Sequence, residues 1–211
     1  MLDGKCKQEK TMREMMRTIW VLTAALALGA GTMAAQASSW AIDKSHSEAD
    51  FAVKHMGIST VHGSFRGVSG TVKFEAGNSA VWSVEATIDV NTVDTGVEAR
   101  DKSLRSADFL DVAKYPTMTF KSTNVKTEGS TYLITGDLTL HGVTKPVTLT
   151  LESPGNEQVG MDAKSVHRGF TATTTINRQD FGVTWNGKLK SGDAVVGDQV
   201  KIELNIEAVR Q

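Results

Sequence analysis

Between Trp82 and Val90 apolar and polar residues alternate without a break. Trp82, Val84, Ala86, Ile88 and Val90 fall on one side, and Ser83, Glu85, Thr87 and Asp89 on the other. A period of two marks a strand with one buried and one wet face, as antiparallel sheets produce; strands buried on both faces read instead as continuous apolar runs. The same beat returns at Ala49–His55, Val61–Phe65, Val68–Phe74, Met118–Ser122, Tyr132–Leu140, Val147–Leu151, Phe170–Ile176 and Val200–Ala208. Many short strands parted by Gly, Asn and Ser turns predict an all-β sandwich or barrel. Two stretches break the beat. From Asp94 to Val112, Val97, Leu104 and Ala107 recur at helical spacing behind a candidate cap at Asp94 or Thr95, which predicts one helix over about residues 95–112 packed on the barrel. Tyr115-Pro116 ends it, because proline drives its predecessor towards extended geometry. From Arg178 to Val196, Gly182, Asn186, Gly187 and Gly192 predict a long loop, of the kind that is either a functional cover or mobile.

The first 37 residues follow a different pattern. Arg13 and Arg17 precede an apolar run from Ile19 to Leu28, and Ala35-Gln36-Ala37 offers small residues around a cut. That is the layout of an export signal cleaved after Ala37, and a run of about ten residues is half of what a spanning helix needs. Met12, Met15 or Met16 would each open a conventional signal, which leaves the first dozen residues as an upstream extension. The organisation expected is a leader over 1–37 and one exported domain over 38–211 with no integral membrane segment.

Composition narrows the function classes. The one cysteine, Cys6, lies in the leader, so the mature domain holds together by packing without disulfides. The chain carries 23 Lys/Arg and 24 Asp/Glu; the leader holds five and three of these, which leaves 18 and 21 in the domain. A slightly acidic balance gives no electrostatic footprint for nucleic acid.

Candidate chemistry is sparse. The five histidines, His46, His55, His62, His141 and His167, are not at zinc-site intervals, so no metal or other cofactor is expected. His55 shares the phase of Phe51 and Val53 and reads as a core or rim histidine. Asp43, Ser45 and His46 are the residue types of a hydrolytic triad, but neighbours in an extended chain point apart. With no nucleophile elbow, phosphate loop or paired carboxylates either, the reading is a binding protein and not an enzyme. The charged stretch Arg100 to Ser106 is either a solvated face or, through Arg100 and Asp101, a brace between helix and barrel mouth. Glycines at Gly63, Gly70 and Gly136 fall among large inward residues, where glycine marks a bend, a bulge or a ligand's approach to the backbone.

Taken together these strings resemble the YceI family of bacterial periplasmic polyisoprenoid-binding proteins. The resemblance rests on Trp40-x-Ile42-Asp43, His46-Ser47, Phe51-x-Val53-x-His55-Met56-Gly57 and Val61-x-Gly63-x-Phe65. It continues through Asp94-Thr95-Gly96, Arg100-Asp101-x-x-Leu104-Arg105-Ser106, Phe109, Tyr115-Pro116 and Phe120-x-Ser122 to Gly136-x-Leu138-Thr139-Leu140-His141-Gly142-Val143-Thr144 and Asn177-Arg178-x-Asp180-Phe181-Gly182. It implies a lipocalin-like antiparallel barrel of about eight strands, usually a homodimer, holding an isoprenoid or other long-chain lipid for transport or storage. Where the family often has histidine two residues after the Arg-Asp pair, this chain has Ser103. The cavity lining expected is Phe51, Val53, His55, Phe65, Val72, Phe74, Trp82, Val84, Ile88, Met118 and Phe120, with Arg100, Asp101 and Leu104 at the mouth. Two rivals stand beside this reading. One is a stress-associated partner-binding module with a filled barrel; the other is a periplasmic enzyme acting on a lipid pyrophosphate, with His55 or His141 as acid or base at the mouth.

Overall fold

The computed structural model describes residues 37–211, so the leader reading, with Arg13, Arg17, the Ile19–Leu28 run and Cys6, lies outside the described residues. Alternation becomes eleven strands: β1 (Ser38–Ile42), β2 (Glu48–His55), β3 (Ser59–Phe65), β4 (Val68–Phe74), β5 (Ser83–Asp89), β6 (Thr117–Glu128), β7 (Thr131–Leu140), β8 (Val143–Leu151), β9 (Gln158–Val159), β10 (Val166–Asn177) and β11 (Val196–Arg210). Every pairing is antiparallel.

Eight staves close the barrel. β1 and β2 pair with the same edge of β11, Ile42 opposite Ala208 and Glu48 opposite Asn205, so they form one stave broken by the turn Asp43–Ser47. β3 and β4 likewise continue one another, since Phe65 pairs with Ala49 and Thr71 with Ala41. The order then runs β4-β5-β6-β7-β8-β10, and eleven residue pairs between β10 and β11 shut the ring. Closure leaves the ring itself no free edge to template aggregation.

The helix, α1 (Glu98–Arg105), is shorter than the 95–112 expected. Gly96, at φ +73°, stands between the expected caps and the helix, and the Asp94 carboxylate accepts from the Gly96 N–H in a local turn. Helical geometry therefore starts only after Val97, which offers no side-chain cap. Past Arg105 the chain tightens into turns: Leu110 N donates to Leu104 O, and Asp111 adopts φ +45°. The segment after Asn177 opens with a 3-10 turn, Arg178–Phe181, and is irregular from there to β11.

Two apolar clusters fill the wall. One gathers Trp40, Phe74, Trp82, Ile134, Leu149, Leu151 and Phe170; the other gathers Val90, Met118, Leu140, Ile176 and Phe181 beneath Leu110 and Val112. Among the described residues no helix is long and apolar enough to cross a membrane.

Candidate functional site: an apolar cavity inside the barrel

The interior is not solid. Inward residues enclose a cavity of about 250 Å³ whose lining is almost wholly apolar. Phe51, Val53, Phe65, Val72, Phe74, Trp82, Val84, Ile88, Met118 and Phe120 all face it, and so does Leu104 from α1. One residue of the expected lining does not. His55 closes β2 at the hairpin tip, where the chain turns at Met56-Gly57, and it lies beyond the lined space. Arg100 and Asp101, expected at the mouth, bond within the loop that leads into α1. Asp101 is buried and accepts from the Thr95 N–H (2.9 Å) and hydroxyl (2.5 Å), while Arg100 Nε donates to the same hydroxyl (2.7 Å) and Nη2 to the Thr95 carbonyl (2.9 Å). They brace the loop that carries the helix and are not among the lining residues.

The far wall completes the lining with Ile134, Leu149, Leu151, Phe170, Leu204 and Ile206. These carry the same alternation as the near wall, and that signal was sufficient to assign them. Phe109, Leu110, Val183 and Arg178 also line it, from irregular segments where no period exists to read.

The glycines are corrected by their neighbours. A Cβ on Gly63 would lie 2.4 Å from Phe51 Cζ, and one on Gly136 would lie 2.5 Å from Phe120 Cζ. Phenylalanine rings, not a ligand, occupy the space that these two positions leave empty. Gly70, at φ +141°, brings its backbone against the Glu85 carbonyl.

One end is plugged by aromatic rings and guanidinium groups. Trp82 packs on Phe74 (4.6 Å) and Tyr132 (4.3 Å), and its indole N–H donates to the Glu75 carbonyl at 2.7 Å, so no donor faces the cavity. Beyond them Trp40, fully buried, lies under Arg168 (5.4 Å) and Arg210 (4.9 Å), and Arg168 also covers Phe74 (4.6 Å). Both guanidinium groups bind the Glu157 carboxylate, and chiefly the Arg168 hydrogen bond holds that carboxyl below its usual value.

At the other end Arg178 is the organising residue. It is 5 % exposed, and it donates to the carbonyls of Gly197 (3.0 Å), Val183 (2.7 Å), Trp185 (2.9 Å) and Val196 (3.2 Å) and to Asp198 Oδ1 (3.2 Å). Burial lowers its pKa against the opposing pull of Asp198. One guanidinium thus pins residues 183–198 beside the mouth, where Trp185 packs against Phe109 at 4.9 Å with the rings tilted by 41°.

The histidines considered for acid–base work stand at this end but off the cavity wall: His55 pairs with Val196, whose carbonyl Arg178 binds, and His141, in the β7–β8 turn at φ +50°, lies against the Tyr115 ring (4.6 Å) beside Gly182. Asp43, Ser45 and His46 do not point apart as expected. The chain turns there, so that His46 Nδ1 meets Asp43 Oδ2 at 2.9 Å; Ser45 contributes its N–H to Asp43 Oδ1 (2.8 Å), and its hydroxyl makes no bond to His46.

A closed antiparallel barrel of eight staves, plugged at one end around an apolar cavity, defines a lipocalin-like binding fold. The chain belongs to the family of the YceI-like domain, whose model matches residues 40–208. A UPF0312 protein of Pseudomonas paraeruginosa is 41% identical over 195 residues, covering 89% of this chain and 97% of that one. Among solved structures, Burkholderia cenocepacia BcnA matches with a TM-score of 0.67 and 27% identity, covering 79% of this chain and 98% of its own. A polyisoprenoid binding domain from Saccharophagus degradans, implicated in plant cell wall breakdown, has a TM-score of 0.56. At 16% identity, covering 82% of this chain and 99% of that domain, it shares the fold.

Proposed function

We propose that the barrel binds the tail of a long-chain isoprenoid or similarly extended amphiphilic lipid, and that the protein carries or stores it in the periplasm after cleavage of the leader behind Ala37. The observation that carries this reading is the apolar cavity of about 250 Å³. Empty apolar volume costs about 24 cal/mol per Å³ in protein cores, so a void of this size forgoes on the order of 6 kcal/mol of packing. A fold selected only for stability fills such a space. An apolar guest recovers the lost contacts at about 0.8 kcal/mol per buried methylene, offset by the ordering of its tail. The relationship to a polyisoprenoid binding domain supports the same ligand class. A filled-barrel module does not fit this interior. The lipid-pyrophosphate reading has His55 and His141 at the mouth end, with no carboxylate or nucleophile hydrogen-bonded to either ring among the described residues.

Two substitutions test the reading through opposite physics. Phe120→Glu places a charge in the lining, and Ala86→Phe fills the space without one. Both should abolish retention of a radiolabelled C55 isoprenoid alcohol while circular dichroism still reports a folded sheet. Undiminished retention by both folded variants would count against a binding site inside the barrel.

A further inference from the structure

The turn between β1 and β2 is tied to the backbone of one residue of β11. Asp43 N donates to the Glu207 carbonyl (2.8 Å), the buried Ser47 hydroxyl donates to the same carbonyl (3.1 Å), and Glu207 N donates back to Ser47 Oγ (3.0 Å). Ile206 lines the cavity, so strand alternation sends the Glu207 carboxylate to the outer face. There it meets residues from two other segments. His46 Nδ1 lies 2.9 Å from Asp43 Oδ2 and 4.0 Å from Glu207 Oε1, and His167 Nδ1, from β10, lies 2.7 Å from that same oxygen. One ligand atom each of Asp43, His46 and Glu207 falls within 4.8 Å of the others.

The hydrogen bonds around His167 show what holds the Glu207 carboxylate. Ser165 Oγ gives its proton to Asp162 Oδ1 (2.8 Å) and so accepts from His167 Nε2 (2.8 Å), while His167 Nδ1 meets Glu207 Oε1 at 2.7 Å. Outer partners that fix ligating side chains in this way are a regular part of metal sites. Zinc bonds of about 2.0–2.1 Å in tetrahedral geometry set ligand atoms about 3.3 Å apart, and the separations of His46 Nδ1 from Asp43 Oδ2 (2.9 Å) and from Glu207 Oε1 (4.0 Å) lie within about an ångström of that value.

We propose that Asp43, His46 and Glu207 form a binding site for a divalent transition metal of the zinc class on the outer wall, joining the β1–β2 turn to β11, with His167 of β10 positioning the Glu207 carboxylate. Imidazole nitrogen selects zinc, copper or nickel over the harder magnesium and calcium. The ion displaces the proton that the His46 imidazole otherwise shares with the Asp43 carboxylate, so occupancy falls in acid. Because the site lies outside the cavity, it stands or falls independently of the lipid.

The test is isothermal titration of the purified protein with Zn²⁺, paired with thermal melting with and without EDTA. One equivalent should bind, raise the melting temperature reversibly and resist competition by Ca²⁺. His46→Ala and His167→Ala should each weaken binding by about tenfold or more, with His62→Ala, on β3, unchanged. Glu207→Gln, which keeps size and loses charge, should weaken it as well, and metal-free melting of each variant reports whether the fold survives. No saturable binding, or equal affinity in folded His46→Ala, His167→Ala and wild type, overturns the proposal.

Discussion

Arg178 gives the sharpest single-residue prediction. Its five hydrogen bonds reach four backbone carbonyls and one carboxylate, and its side chain is 6% exposed. In Arg178→Met the apolar stem is retained and the donors are lost. The Trp185 carbonyl belongs to an exposed residue and regains water, whereas Val183 is buried and its carbonyl stays unpaired. Leaving a buried acceptor unsatisfied costs about 1–3 kcal/mol, and dismantling a buried charged network costs about 3–5 kcal/mol, so about 4 kcal/mol is expected. At about 2–4 °C per kcal/mol for a domain of this size, melting should fall by about 8–16 °C. Arg178→Lys should recover little, because one ammonium cannot serve carbonyls arrayed around a planar fork. Urea denaturation measures the loss, and limited trypsin cleavage at Lys188 and Lys190, within the pinned segment, measures its location. A Met variant within about 1 kcal/mol of wild type, with cleavage no faster, would refute the clamp.

Two further outcomes follow from packing and charge. Gly136→Ala drives a Cβ to 2.5 Å from the Phe120 ring and 2.6 Å from the Lys121 carbonyl. It should cost about 1–3 kcal/mol in urea denaturation and, by pushing the ring inward, weaken lipid retention; neutrality on both counts would contradict the ring-over-glycine packing. Glu157 is held below its usual pKa chiefly by Arg168, with Arg210 adding to the effect, so its contribution is present above the unfolded value and fades as pH falls through the folded one. Wild type should therefore melt above Glu157→Gln at about pH 7, and the two curves should converge towards about pH 3. Parallel curves would remove Glu157 from the plug.

Where side chains repeat with a period, the fold was legible from sequence; where they do not, it was not. Trp82 to Ile88 alternates because each inward residue meets the cavity and each outward one meets water, and that pattern gave the strands and the near wall. β1 escaped because Ser38 and Ser39 dilute its apolar beat beside the leader, and β9 because two residues carry no period. The helix was overextended because helical spacing ignores the positive φ that Gly96 takes. Arg178 stood in a polar, glycine-rich run and carried no local sign of burial, since its partners are carbonyls that any sequence supplies. The neighbourhood of His46 and His167 was invisible to their spacing along the chain; strand pairing across β11 brings them to one carboxylate.

Native mass spectrometry of protein purified without detergent tests the central claim most directly. A carrier with a built apolar cavity should fly with one lipid per chain, releasable by organic extraction and identifiable as a long hydrocarbon tail, with Ala86→Phe flying bare. Wild-type protein at its bare polypeptide mass, and still bare after incubation with isoprenoid-containing vesicles, would contradict the account.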